Sequence, residues 1–228
     1  KAIEYVFNDG IDHVTGKRLG LATGDAAKME SFEEFYAAFQ KQFAYILDTV
    51  MDAARRYEKH VAETNPSVLL SAAVESSLAK GVDAYAFGFK YTTSCLMLCS
   101  FATTVDSILA VKELVFEKKA ATLAEFKDAL RRLALNARDK YGNANKQADL
   151  YAAALFRWFS VYVTGQKNSR GGVYKVGVPS TLHFITQGKV TQATPDGRKE
   201  GEECSKNVAP VIGMERGGVT AMIRSALA

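Results

Sequence analysis

Cysteine is scarce in this chain. Only Cys95, Cys99 and Cys204 occur in 228 residues, and no two form a C-x-x-C pair. That pattern argues against a disulfide framework or a cysteine-ligated zinc site. Cys95 and Cys99 fall in an apolar run, where they read as small buried hydrophobes. A reducing cytoplasmic setting follows from this usage. Histidine is limited to His13, His60 and His183, which are far apart. Each reads as an ordinary surface or core side chain rather than a ligand, and no Ser/His/Asp arrangement stands at useful spacing. There is no phosphate-binding glycine loop, no G-x-G-x-x-G and no H-E-x-x-H. No apolar run reaches the ~20 residues needed to span a bilayer, and no secretory signal opens the chain. Charge of one sign never accumulates: 29 basic and 25 acidic residues are interspersed, for a net charge of +4. A nucleic-acid stripe is therefore absent. No metal site, nucleic-acid partner or membrane contact is expected.

What is present points to a packed protein. Hydrophobic residues make up 48% and charged residues 24%, which is enough for a substantial core and excludes general disorder. Most of the chain reads as helix. Lys1 to Phe7 looks like the end of an apolar helix, stopped by Asn8-Asp9-Gly10. Ser31-x-x-Glu34 is a capping-box pattern. After it Phe32, Phe35, Tyr36, Phe39, Phe43, Ile46, Leu47, Val50 and Met51 recur at three and four, predicting one amphipathic helix to about His60. That stripe reads as core rather than binding surface. Further helices are expected over Val68 to Lys80, closed by Gly81, over Val105 to Lys118, from a second capping box at Thr122-x-x-Glu125 to about residue 138, and over Lys146 to Val163. Strand-like pieces are fewer: Ala84 to Thr92, Val173 to Val178 and Thr181 to Thr186. The first segment lacks an N-cap, and Val219 to Ala228 is apolar without a polar end. Domains usually begin and end on exposed polar chain, so both ends read as cut from something longer. Many helices with isolated strands suggest an α/β protein whose remaining strands lie elsewhere.

Several motifs occur in a fixed order. They are Asn8-Asp9-Gly10-Ile11-Asp12 with Thr15-Gly16-Lys17, Gly20 and Thr23-Gly24-Asp25; Gly88, Lys90 and Tyr91; and Val105-Asp106-Ser107-Ile108-Leu109-Ala110-Val111-Lys112. Lys140-Tyr141-Gly142-Asn143 follows, with Asp149. Last come Ala193-Thr194-Pro195-Asp196-Gly197-Arg198, Gly201-Glu202, Pro210, Gly213 and Thr220-Ala221. Together they resemble the glycyl radical enzyme family, in its pyruvate formate-lyase-like form and especially its dehydratase and lyase branch. The resemblance covers nearly the whole chain.

The resemblance implies an α/β fold: a helix-rich part of a ten-stranded α/β barrel, from the C-terminal half of the barrel domain. It implies a lyase, dehydratase or formate-lyase-like acyltransferase that breaks a C–O, C–N or C–C bond of a small-molecule substrate after a cysteine thiyl radical takes a hydrogen atom. The glycyl radical is installed by an activating enzyme that uses S-adenosylmethionine and an iron–sulfur cluster. No cofactor is expected to bind this chain directly. A homodimer of the full-length protein, in the cytoplasm or inside a bacterial microcompartment, is also implied. Such radicals need a closed site that excludes water and competing hydrogen donors.

The family's G-C-V-E cysteine loop and R-V-x-G-Y glycine loop do not occur among these residues. The expectation is that residues 1–228 form a portion of the barrel domain, with the cysteine loop upstream and the glycine loop downstream. The three cysteines stand in the wrong context to replace the first. Other departures are Phe87 and Phe89 for the first glycine and the alanine of a G-G-A-x-Y strand, Thr92 for the asparagine after it, Ser100 for a glycine, and Val219 for a proline. The link from Leu130 to Lys140 is also shorter than expected. These changes imply a divergent subfamily with a bulkier pocket wall. An alternative is a non-catalytic paralogue or split subunit that completes a barrel with another chain.

The matching strand places Tyr91, Gly88 and Thr92 as candidate substrate-binding residues. Tyr91 reads equally as a core tyrosine with a satisfied hydroxyl, and Gly88 as strand geometry. Asp196, Gly197 and Arg198 read as structural. Pro195-Asp196-Gly197 is a turn in which proline fixes φ and glycine permits positive φ, and Arg198 is suited to holding carbonyls or a carboxylate. Asp106 reads as a helix cap or a loop anchor.

Overall fold

Apolar residues at spacings of three and four make helix the dominant element. The computed structural model describes residues 1–126, 134–137, 139–179 and 181–228. The described helices are α1 (Ala2–Phe7), α2 (Phe32–Thr64), α3 (Val68–Ala73), α4 (Glu75–Lys80), α5 (Phe101–Val111), α6 (Leu123–Phe126), α7 (Lys146–Val163), α8 (His183–Lys189) and α9 (Gly218–Leu227). Two strands, β1 (Ser94–Met97) and β2 (Tyr174–Gly177), pair in parallel, with Ser94 opposite Tyr174 and Met97 opposite Gly177.

Local chemistry sets the boundaries. The Ser31 hydroxyl accepts the Glu34 N–H at 3.2 Å, and the Glu34 carboxylate accepts the Glu30 N–H at 2.8 Å. This capping box starts α2. The helix runs four residues past His60, to Thr64. At the second box Thr122 and Glu125 exchange hydrogen bonds of 2.7 to 3.2 Å and open α6. The expected continuation toward residue 138 and the link from Leu130 to Lys140 lie outside the described residues in part.

Four expectations need correction. Val68 to Lys80 is two helices, because Val74 is extended (φ −105°, ψ 114°). Ala84 to Thr92 is not a strand. Asp83 caps a tight turn over Ala84–Gly88 through the Tyr85 N–H, and β1 begins only at Ser94. Thr181 to Thr186 falls largely in α8. Cys95 is exposed rather than buried, because strand alternation buries Ser94 and Leu96 and turns Cys95 and Met97 outward.

The chain forms two compact units. One comprises Lys1–Ile46, Leu98–Trp158 and Val178–Ala228; the other comprises Leu47–Met97 and Phe159–Gly177. In the first, the aromatic stripe of α2 packs on rings of α7. Phe32 meets Tyr151 edge-on at 6.1 Å, and Phe43 stacks on Trp158 at 5.3 Å. Phe35, Phe39, Val105, Leu109 and Leu155 complete this core. In the second, Met51, Phe159, Val163, Leu96 and Tyr174 are buried, and the Tyr174 hydroxyl donates to the Met51 carbonyl at 3.2 Å.

One polar residue sits inside the first core. Gln42, fully buried on α2, donates to the Leu21 carbonyl at 2.7 Å and to the Thr23 hydroxyl at 3.1 Å, and accepts the Leu21 N–H at 3.0 Å. It thereby ties the segment around Gly20 and Thr23 to the helix. Gln42→Ala removes the partner of the Leu21 N–H and carbonyl, two part-buried hydrogen bonds, which costs about 2 kcal/mol. Urea denaturation of the full-length protein should show a matching fall in midpoint. A shift equivalent to less than about 0.5 kcal/mol, the scale of an ordinary surface change, would exclude the tether.

Candidate functional site

Asp83 organises the turn that carries the first candidate residues, in the second unit. Its carboxylate accepts the Ser67 N–H at 2.9 Å, the Ser71 hydroxyl at 2.8 Å and the Tyr85 N–H at 2.8 Å. The Ser71 hydroxyl hydrogen bond, chiefly, holds its carboxyl below the usual range. Gly88 closes the turn with its N–H on the Asp83 carbonyl at 3.0 Å. A Cβ there would lie 2.3 Å from the Ser77 Oγ and 2.6 Å from the Asp83 carbonyl. Close packing therefore accounts for this glycine. Phe87, where the resemblance expects glycine, adopts φ +69°. That region is costly for a bulky side chain. The Lys80 ammonium braces it by donating to the Phe87 carbonyl at 2.8 Å.

Tyr91 is not a core tyrosine. It is 79% exposed, and the Lys90 ammonium lies 5.6 Å from its ring centroid. Thr92 is half-buried. Its carbonyl accepts the Asn168 side-chain amide and approaches Gly172 so closely that a Cβ there would meet it at 2.3 Å. Nearby, the Glu58 carboxylate accepts the Ser94 hydroxyl and, at 3.1 Å, the Ser169 N–H. Sequence reasoning missed Asp83, Glu58 and Asn168, whose partners lie up to 111 residues away.

The second group of candidates lies in the first unit, where the quoted motifs meet. Thr194 to Gly197 forms a turn closed by the Gly197 N–H on the Thr194 carbonyl at 3.0 Å, with Gly197 at φ +101°. Asp196 is buried. Its Oδ1 accepts the Thr194 hydroxyl at 2.5 Å and the Ser107 hydroxyl at 3.3 Å, and the Asp196 N–H returns to the Ser107 oxygen at 3.3 Å. The Lys140 ammonium donates to the Asp196 carbonyl at 3.1 Å. Asp106 lies in the second turn of α5, so it does not cap that helix. It accepts the Tyr141 N–H at 2.8 Å and anchors the K-Y-G-N turn. Asn143 extends the network by donating to the Met214 carbonyl at 2.9 Å and accepting the N–H groups of Arg216 and Gly217. Gly142 takes φ +89°, and a Cβ there would strike the Pro210 ring at 2.5 Å.

Arg198 is buried. Its guanidinium donates to the carbonyls of Glu202 (2.7 Å), Lys199 (2.9 Å), Thr191 (3.1 Å), Gly188 (3.4 Å) and Gln192, and to the Thr194 hydroxyl at 3.2 Å. Burial pushes the Asp106 carboxyl up to about 7, and Asp196 acts in the same direction while Lys140 opposes it. Tyr141 is pushed up to about 12, chiefly by burial. Among the described residues no group of three or more acidic, histidine or cysteine side chains is placed to hold a metal. No described helix is long and apolar enough to cross a membrane.

The sequence pattern described as pyruvate formate lyase-like matches residues 1–186. This chain belongs to the pyruvate formate lyase-like family of glycyl radical enzymes. Among relatives of this pyruvate formate lyase-like chain, trans-4-hydroxy-L-proline dehydratase of Clostridioides difficile is 32% identical across 99% of the chain and 30% of its own length. (2S)-3-sulfopropanediol dehydratase of Klebsiella oxytoca is 32% identical across 92% of the chain and 27% of its own length. The solved structure of hydroxyproline dehydratase from C. difficile with bound trans-4-hydroxy-L-proline superposes with a TM-score of 0.91 at 30% identity, covering 98% of this chain and 30% of that one. The glycerol-bound, B12-independent glycerol dehydratase of Clostridium butyricum gives 0.90 at 30% identity, covering 99% and 30%. The α/β fold of the pyruvate formate lyase-like chain is therefore that of part of a glycyl radical enzyme barrel. It spans under a third of the length of these relatives.

Arg198→Lys replaces a planar fork that reaches five carbonyls with a single ammonium. Unpaired buried carbonyls should lower stability by about 3 kcal/mol. Limited proteolysis of the full-length variant should then cut between residues 188 and 202. A resistant loop would show that Arg198 does not hold it.

Proposed function

We propose that the full-length protein carrying this chain is a glycyl radical lyase or dehydratase that breaks a C–O, C–N or C–C bond of a small polar substrate, and that residues 1–228 supply part of the barrel around the reaction. The observation that carries this reading is the match across 99% of the chain to a hydroxyproline dehydratase, with a superposition of 0.91 on its structure. The cysteine and glycine motifs of the family do not occur among these residues. On this reading both come from the rest of the polypeptide, and this chain's contribution is shape, exclusion of water and substrate contact. An activating enzyme that uses S-adenosylmethionine installs the radical, and the full-length protein acts as a homodimer.

Within this chain Tyr91 is the strongest candidate for substrate contact. Its ring and hydroxyl are free of core packing and stand beside the Lys90 cation, a pairing suited to a polar or anionic substrate. Gly88 and Thr92 shape the backbone beneath it. Asp106, Asp196, Gly197 and Arg198 act through the scaffold.

The decisive experiment is electron paramagnetic resonance of the full-length protein, treated without oxygen with its activating enzyme, S-adenosylmethionine and reductant. A glycyl radical doublet is expected, together with loss of substrate when hydroxyproline, diols or sulfonated alcohols are offered. No doublet would favour the non-catalytic paralogue or split-subunit alternative. Tyr91→Phe should leave stability unchanged within about 0.5 kcal/mol, as for an exposed site. It should lower turnover or alter substrate preference. Kinetics identical to the parent would remove Tyr91 from the site.

A further inference from the structure

Among the described residues of the first unit, three buried carboxylates each have one oxygen with no donor: Asp106 Oδ2, Asp149 Oδ1 and Asp196 Oδ2. Asp106 and Asp196 are the most deeply buried, at 0% and 2% exposed, against 9% for Asp149. We propose that the Asp106–Asp196 pair carries a single negative charge in the folded protein, with the proton held on Asp106.

The hydrogen bonds decide which member is neutral. The Oδ1 of Asp196 is served by the hydroxyls of Thr194 and Ser107 and, at 3.5 Å, by the Arg198 N–H. Two hydroxyls and an amide stabilise an anion. Asp106 accepts one bond, from the Tyr141 N–H. An isolated carboxylate with one donor and no water is costly. A neutral carboxylic acid needs far less solvation than an anion.

The charged and titratable neighbours agree. Lys140, on the turn facing α5, donates to the Asp196 carbonyl. Arg198, on the loop that carries Asp196, spends its guanidinium on backbone carbonyls and the Thr194 hydroxyl. Tyr141, on the same turn as Lys140, is itself held neutral by burial, and Asp149 of α7 faces Tyr141. The Asp106 hydrogen bond comes from a neutral backbone N–H, and Asp196 acts against its ionisation while Lys140 favours it. A bound metal is an unsuitable remedy, since no acidic cluster among the described residues is arranged to hold one.

This makes Asp106 a positioning residue. It joins α5 to the K-Y-G-N turn, and through Asp196 to the A-T-P-D-G-R loop, without placing two full charges in the same core. The sign of the pH effect follows. The folded-state value of about 7 lies above the ordinary 3.8, so the folded protein binds more protons between those values than the unfolded chain does. The stabilising contribution is complete below about 4, declines as pH rises to about 7, and is flat above.

The test uses infrared spectroscopy and thermal melts of the full-length protein. At pH 5.5 the spectrum should contain a protonated-carboxyl band from a buried acid. That band should be lost in Asp106→Asn and kept in Asp149→Asn. The Asp106→Asn variant preserves the acceptor for Tyr141 and supplies an N–H in place of the O–H. It should melt as high as the parent at pH 5 and higher than the parent at pH 8, because it lacks the parent's decline between those values. Absence of the band, its loss in Asp149→Asn instead, or an Asp106→Asn variant that fails to fold or melts no higher than the parent at pH 8, would each overturn the proposal.

Discussion

A loop can be buried only when its backbone carbonyls find donors, and in the first unit Arg198 supplies most of them for residues 188 to 202. Its planar guanidinium reaches carbonyls on both sides of the Thr194–Gly197 turn. That folds the segment into a tight knot and lets Asp196 point inward. Asp196 then meets Ser107 on α5, and its carbonyl meets Lys140. Asp106, one residue before Ser107, takes the Tyr141 N–H. From Tyr141 the chain passes to Gly142, pressed on Pro210, and to Asn143, which binds the 214–217 segment. Motifs far apart in sequence are thus one connected polar structure. The cation in the middle is solvated by backbone carbonyls and the Thr194 hydroxyl. Geometry rather than net charge sets its strength.

Much of this fold was legible because helix formation is local. The stripe from Phe32 to Met51 and the box at Ser31 fix α2, and Lys146 to Val163 is found with the same bounds. Strands were less legible. Ala84 to Thr92 has strand-like composition, but Asp83 offers its carboxylate to nearby N–H groups and so stabilises a turn in place of a ladder. Val74 breaks a helix that periodicity alone would continue. β1 and β2 are separated by 76 residues, Leu98 to Val173, and nothing in either segment announces its partner.

The candidate residues were legible by type more than by role. The turn chemistry of Pro195-Asp196-Gly197 and the grip of Arg198 could be anticipated from the residues themselves. The anchor made by Asp106 could not, because its partner Tyr141 lies 35 residues away. Two departures from the resembling pattern acquire a physical meaning. Phe87 and Ser100 replace glycines, and both adopt positive φ, at +69° and +60°. Positive φ is a conformation that glycine adopts without steric cost. At each place a polar bond helps to hold the strained residue: Lys80 on the Phe87 carbonyl, and the Ser100 hydroxyl on the Gln187 side chain at 2.8 Å. Strain of this kind persists only where surroundings over-determine it.

The small sheet bears on how the chain works. A two-stranded parallel sheet is rarely seen alone, because parallel sheets are normally wide and covered on both faces. Here each strand has one strand partner among the described residues, and the far side of β2 is met only at its start, where Tyr174 bonds to Gln166 and Gly165. One face of β1 also presents Cys95 and Met97 outward. Exposed edges and apolar faces invite further strands. The relatives are more than three times as long as this chain, which leaves ample polypeptide to provide them. The narrow sheet and the match to part of a barrel therefore support the same proposal from independent directions. The first concerns a parallel sheet of only two strands among the described residues, and the second concerns proteins in which such a stretch is one part of a closed wall.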